Sequence, residues 1–288
     1  MTSQRGPDLG AHMSIAGGLH KALERGASIG CQVVQMFVKS SNRWATRDIT
    51  SEEAGRFHET RRATGIRAVV AHAAYLLNLG SPDDALWKRS VDAAIIEVKR
   101  CQQLAIDRWV IHPGAAKEST EEQGLRRIVS GLDAVLEATA DADVTILLEI
   151  TAGQGTSLGH TFEQLAWLIE HAEADERLGV CFDTAHALAA GYEFRDATSH
   201  QAMWGTFDEV IGLDRLGAIH LNDSKRDLGT RVDRHEQIGE GFLGIEPFRL
   251  LLNDPALRQV PMILETPKGP DLAEDVHNLA LLNSLIEP

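Results

Sequence analysis

The stretch "GVCFDTAH", residues 179–186, sets the problem for the whole chain. Its first half is an apolar run too short for a helix, of the kind that forms a parallel strand buried on both faces. The run ends in a carboxylate, Asp183, and an imidazole, His186, follows three residues later. A buried strand has no use for either group, so something polar must sit where this strand stops.

Outward from this stretch the same unit recurs. Short apolar runs appear at "LGAH" (9–12), "CQVVQMFV" (31–38), "IRAVVAH" (66–72), "RWVIH" (108–112), "VTILLE" (144–149), "LGVCFD" (178–183), "LGAIH" (216–220) and "VPMILE" (260–265). Between them lie segments with helical spacing. "SVDAAIIEVKRCQQLA" places Val91, Ala94, Ile95, Val98 and Cys101 on one face, and "LRRIVSGLDAVLEAT" does the same with Leu125, Ile128, Leu132, Val135 and Leu136. Capping-box spacing pairs Thr50 with Glu53, Ser119 with Glu122, and Thr161 with Gln164. Eight strands alternating with helices, with no linker or low-complexity tract, predict an α/β fold: one (β/α)8 TIM barrel over residues 1–288, its active site at the C-terminal ends of the strands. A doubly wound open sheet is the alternative, and no G-x-G-x-x-G follows a strand to support it.

Composition narrows the function classes. No apolar run reaches the length of a membrane span, and "MTSQRGPDLGAH" lacks a signal-peptide core, so no membrane association is expected. Cys31, Cys101 and Cys181 are odd in number and form no CxxC pair, which points to core packing in a reducing cytoplasm. A net charge of -14 argues against a surface that attracts nucleic acid or anionic lipid everywhere. It leaves room for a local basic groove, and for carboxylates whose charge is offset by bound cations.

The strand endings carry the chemistry. In order they are His12, His72, His112, Glu149, Asp183, His220 and Glu265; only "CQVVQMFV" runs into a different ending, "KSSNRW". From His72 onward they lie 34 to 45 residues apart, by subtraction, about one β/α unit each. All such ends face one side of a barrel. A lone histidine there is normally a hydrogen-bonded polar residue and a lone carboxylate a helix cap, but a converging set is different. In "DTAH", Asp183 and His186 are spaced to aim into one space; in "RVDRHEQIGEG", Asp233 and His235 point to one side of an extended loop while Arg234 points away. Gly239, Gly241 and Gly244 predict a tight irregular loop after them. The remaining histidines, including His58, His171 and His277, read as ordinary surface residues. His72, His112, Glu149, Asp183, His186, His220, Asp233, His235 and Glu265 exceed the ligand set of one catalytic zinc and suit two or three clustered metals, with one carboxylate bridging a pair. Imidazole with carboxylate and no thiolate suits zinc, manganese or iron, and clustered metals are typical of phosphate-ester hydrolysis.

These residues sit in a series of longer motifs: "GAHMSIAGGL", "HAAYLLNLGSP", "HPGA", "LLEITAGQGTSLG", "CFDTAHALAAGY", "HLNDSKRDLGTRVDRHEQIGEG" and "MILET". In this order and spacing, over nearly the whole chain, they resemble endonuclease IV, the zinc-dependent apurinic/apyrimidinic endonucleases of base excision repair. The resemblance implies a TIM barrel with three Zn2+ per chain, Mn2+ or Fe2+ being possible substitutes. It places His72, His112 and Glu149 on one zinc. Glu149 bridges to a second, also held by Asp183, His220 and Glu265, and His186, Asp233 and His235 hold the third. It implies hydrolysis of the phosphodiester 5′ to an abasic site in double-stranded DNA, leaving a 3′-hydroxyl and a 5′-deoxyribose phosphate, with Glu149 orienting the attacking water. Cleaning of blocked 3′ ends, a monomeric state and a cytoplasmic, nucleoid-associated location are further expectations.

Expected DNA contacts are Tyr75 and Leu76, apolar groups on a mouth loop able to wedge into the base stack at a baseless step, with Arg43 and Arg231 among the basic residues near phosphates. The other basic candidates are Lys39, Lys225, Arg226 and Arg234. Tyr75 and Leu76 packed beneath their loop is the structural alternative. Three positions depart from the family pattern: Asn42 stands where an arginine is common, Arg43 following it; Ala73 follows His72 where a polar residue is common; Ile150 follows Glu149 where asparagine is expected. Ile150 would then alter a hydrogen bond behind a metal ligand. Two other functions fit a metal-rich barrel mouth less well. A sugar isomerase uses one or two metals and a separate base, and leaves "DTAH" plus "DRH" without a role. A non-catalytic damage-binding module gains nothing from nine buried polar ligands.

Overall fold

The computed structural model describes residues 6–287. Eight parallel strands close into a barrel: β1 (Leu9–His12), β2 (Val33–Phe37), β3 (Ala68–His72), β4 (Arg108–Ile111), β5 (Thr145–Glu149), β6 (Leu178–Asp183), β7 (Leu216–Leu221) and β8 (Met262–Leu264). Each pairs with its sequence neighbour, and β8 pairs with β1 through Leu9–Met262, Gly10–Ile263 and Ala11–Leu264. The open-sheet alternative is thereby excluded. Around the barrel run α1 (His20–Ser28), α2 (Ser51–Thr64), α3 (Asp84–Gln103), α4 (Glu121–Ala138), α5 (Phe162–His171), α6 (Thr184–Ala190), α7 (Ala197–Val210), α8 (Glu246–Asn253) and α9 (Ala273–Ser284). Among the described residues, no helix is long and apolar enough to cross a membrane.

Two cores follow from strand periodicity. One lies between barrel and helices and takes in the predicted faces of α3 and α4. The other fills the barrel with one side chain from each of seven strands: Val33, Val70, Val110, Leu147, Cys181, Ala218 and Ile263. Leu147 packs over Gly217, where a Cβ would stand 2.4 Å from its Cδ2 and force the leucine to move. Side chains alternate along a strand, so the next inward layer is two residues further on. That layer is Gln35, His72, His112, Glu149, Asp183, His220 and Glu265. An apolar plug thus sits directly beneath a ring of polar groups.

Several local expectations shift. The α2 capping box is Thr50 with Glu53, as expected. The one on α4 moves by a residue to Thr120 with Gln123, because the Ser119 hydroxyl donates to the Ala116 carbonyl instead. Thr161 caps α5, but the Gln164 side chain accepts from Gly159 and His160 rather than returning to the cap. Two of the histidines expected on the surface, His160 and His200, are buried, since the loop before α5 and the inner face of α7 pack against the barrel. All three cysteines are buried and unbridged.

Candidate metal centre

At the mouth, β6 passes into α6 with no loop. Asp183 ends the strand and caps the helix, accepting from the His186 amide at 2.8 Å, so strand and helix together fix the opening pair. A short antiparallel ribbon, Asp223–Ser224 against His235–Glu236, folds the segment after β7 back over the mouth and delivers Asp233 and His235. The turn beyond it is held by Asp223, whose carboxylate accepts from the amides of Gly239, Gly241 and Leu243. A Cβ at Gly241 would lie 2.4 Å from that carboxylate, which is why glycine stands there.

All nine expected ligands converge, in three groups. His72 and His112 present Nε2 to Glu149 Oε2 at 3.0 and 3.1 Å. His220 Nδ1 lies 3.1 Å from Glu149 Oε1, 3.1 Å from Glu265 Oε2 and 3.8 Å from Asp183 Oδ2. His186 Nε2 faces His235 Nε2 at 3.4 Å and Asp233 Oδ2 at 3.3 Å, with Asp233 Oδ1 3.5 Å and Asp183 Oδ2 3.8 Å from His235 Nε2. Within each of three sets, donor atoms lie within 4.8 Å of one another: His72, His112, Glu149; Glu149, Asp183, His220, Glu265; and Asp183, His186, His235. Asp183 therefore borders two groups, as Glu149 does. Four carboxylates and five imidazoles, most of them buried and with no thiolate among them, suit divalent cations of the zinc type.

The electrostatics show what the protein does with these charges alone. Burial pushes the Glu149 carboxyl up, but His112 and His220 outweigh it and hold it well below the usual range. Burial lowers the His220 and His186 imidazoles, yet Cys181, Glu265 and Glu149 lift the first, and Asp183, Asp233 and Glu149 the second, well above the ordinary value. Asp233 falls to about 2 against its own burial because of His186. Glu149, Glu265 and Asp233 are thus held ionised and would meet cations in their binding form.

Ring orientation comes from the backbone. His72 Nδ1–H donates to the Ala73 carbonyl at 2.8 Å and His186 Nδ1–H to the Ile150 carbonyl at 3.0 Å, leaving Nε2 of each free to ligate. Two of the three departures from the family pattern, Ala73 and Ile150, therefore fall where the carbonyl, not the side chain, makes the contact. The Ile150 side chain is fully buried in the core, and the orienting hydrogen bond survives the substitution.

The strand-end reading missed Gln35 and Asn222, and it found His12 as a strand end without giving it a role. Gln35 accepts from His220 Nε2 at 2.8 Å and donates to Glu265 Oε1 at 2.5 Å. Asn222 donates to Asp183 Oδ2 at 2.6 Å and accepts the Glu265 amide at 2.9 Å. His12 Nδ1 lies 3.2 Å from Glu265 Oε1. Counting by two along β2 and β7 finds the first two; nothing in "CQVVQMFV" marks Gln35 as a strand end.

Above the centre opens a cavity of about 710 Å3, its walls including Phe37, Tyr75, Asp233 and Lys268. Tyr75 is 71% exposed and set edge-on to Phe37 at 5.2 Å, with Leu76 half-buried beside it, so the tyrosine is not packed beneath its loop. Arg43 and Arg231 are exposed near the mouth, as are Asn42, Lys225, Arg226 and Arg234. Lys39 corrects the expectation of a surface cation. It is buried, 3.3 Å from Glu97 of α3, and donates to the Arg43 carbonyl.

The chain matches the family described as xylose isomerase-like TIM barrel over residues 23–283. It is 48% identical to "Probable endonuclease 4" of Chloroflexus aurantiacus, covering 98% of this chain and 99% of that protein. To the protein of the same name in Geobacter sulfurreducens it is 49% identical, over 96% and 94%. The crystal structure of endonuclease IV from Thermus thermophilus superposes with a TM-score of 0.85 at 36% identity, covering 97% of this chain and 98% of that one. A D-tagatose 3-epimerase-like protein superposes with a TM-score of 0.75 at 19% identity, a likeness of fold alone.

Proposed function

The chain belongs to the endonuclease IV family, and from that premise we propose that it cuts double-stranded DNA at abasic sites, hydrolysing the phosphodiester on the 5′ side. It is a hydrolytic enzyme, a nuclease, with a role in DNA repair. The finer assignment rests on the donor set. His72, His112 and Glu149 would hold one zinc; Glu149, Asp183, His220 and Glu265 would hold a second; His186, His235 and the neighbouring Asp233 would hold a third, Asp183 lying close enough to share it. Bound there, the ions supply an activated water and neutralise charge on the entering and leaving oxygens.

The protein's own contribution is placement. Glu149, tied on both oxygens to imidazoles of different strands, orients the water. Gln35 and Asn222 keep Glu265 and Asp183 aimed inward. Tyr75 and Leu76 enter the duplex at the baseless step, where stacking is weakest, and Arg43 and Arg231 meet flanking phosphates. The products are a 3′-hydroxyl and a 5′-deoxyribose phosphate, and the same site removes 3′-blocking groups. The observation that carries this reading is the convergence of carboxylates and oriented imidazoles at the strand ends.

The test is a duplex with one tetrahydrofuran abasic analogue, which cannot undergo β-elimination. Zinc-restored protein is expected to nick it on the 5′ side and leave a 3′-hydroxyl, while chelator-stripped protein does not. No nick with zinc bound would overturn the reading.

A further inference from the structure

The loops carrying Arg43 and Tyr75 leave different strands, β2 and β3, yet converge on one buried carboxylate. Glu97, on α3, has a side chain only 1% exposed, and so has its partner Lys39. The carboxylate accepts from the Ala74 amide at 3.2 Å, one residue before Tyr75, and from Trp109 Nε1 at 3.2 Å. Its other oxygen holds Lys39 Nζ at 3.3 Å, and the same ammonium donates to the Arg43 carbonyl at 2.7 Å. One turn further along α3, Arg100 donates to the carbonyls of Val38 and Arg47, closing both ends of the Arg43 loop onto the helix. Arg89 of α3 lies 4.5 Å over the Trp44 ring of that loop.

A buried ion pair is weak evidence for stability, because desolvation offsets most of the attraction; apolar packing of similar volume often does as well. What apolar packing lacks is direction. This pair bonds to specific backbone groups of two separate loops and fixes their relative position.

We propose that Glu97, through Lys39, is a positioning residue that sets the Arg43 loop and the Tyr75 loop in one fixed arrangement for gripping the damaged duplex. The proposal rests on the DNA-cutting reading above. It assigns Glu97 no contact with substrate or metal.

The test compares Glu97→Gln with the double variant Lys39→Met, Glu97→Gln. The single change leaves an ammonium buried without its counter-charge and is expected to lower thermal stability. The double change removes both charges and is expected to recover most of the melting temperature, while the methionine cannot hold the Arg43 carbonyl. In the double variant, KM for the abasic duplex is expected to rise about tenfold, within the roughly hundredfold that a misplacement of about 1 Å can cost. Turnover of bis(p-nitrophenyl) phosphate, which needs neither loop, is expected to change far less. Amide exchange, read without DNA, is expected to quicken in residues 38–48 and 73–79 together. A double variant with wild-type KM, or exchange that quickens in only one loop, would overturn the proposal. If the wild type does not cut abasic DNA, the functional reading fails, and the exchange result alone then decides whether Glu97 couples the loops.

Discussion

Replacing Gln35 with leucine tests how the metal site is built without touching a ligand. Gln35 is fully buried and makes two contacts on the ring, accepting from His220 Nε2 at 2.8 Å and donating to Glu265 Oε1 at 2.5 Å. Leucine fills similar volume and can make neither. His220 then loses the acceptor that keeps its proton on Nε2 and its Nδ1 free, and Glu265 loses the donor that holds it inward. A buried group left without its partner costs about 1–3 kcal/mol. Loss of such an outer contact typically weakens metal binding or activity by about 10–100-fold. At about 1.4 kcal/mol per tenfold, that range is about 1.4–2.8 kcal/mol, so the two ranges agree. The assay is zinc competition against a chromogenic chelator, with turnover of the tetrahydrofuran duplex measured in parallel at saturating zinc. The expected result is zinc retention weakened at least about tenfold at the site of His220 and Glu265, with the fold intact. Affinity and turnover within about twofold of wild type would refute the reasoning that these orienting contacts matter.

Other outcomes follow from single contacts. Glu149→Gln keeps the shape but removes the charge shared by two donor groups; cleavage is expected to be lost while circular dichroism is unchanged, and a near-wild-type rate would remove its bridging role. Tyr75→Ala is expected to weaken binding to abasic duplex much more than it slows hydrolysis of a small phosphodiester, measured by fluorescence anisotropy and colorimetric turnover; equal losses would count against the wedge. Gly241→Ala drives a methyl group toward the Asp223 carboxylate, 2.4 Å away, and is expected to cost about 1–3 kcal/mol in denaturant unfolding. Because Asp223 also anchors the turn after His235, retention of the third zinc should fall with it.

Much of the molecule was legible because barrel physics repeats. Each strand had to be apolar to be buried and polar where it met the mouth, so "VTILLE" and "LGVCFD" announced both their structure and their last residue. The convergence of His186, Asp233 and His235, which lie beyond strand ends, was legible from spacing. Gln35 was not, because β2 continues past its polar residue through Met36 and Phe37, and a reading that looks for the end of an apolar run passes over it. Asn222 was hidden one alternation beyond His220. Lys39 misled because a lysine after a strand normally reaches solvent, and nothing local signals a glutamate on α3 coming to meet it. Ala73 and Ile150 stood out for a related reason: sequence lists side chains, and at both positions the working group is a carbonyl.

The most direct measurement is a titration of zinc into fully stripped protein, with cutting of the tetrahydrofuran duplex read at each point. The account predicts three equivalents bound per chain by mass spectrometry, and a 5′-side nick leaving a 3′-hydroxyl that reaches full rate only as the third equivalent binds. Full activity with a single equivalent, or three bound zincs without any nick, would contradict it.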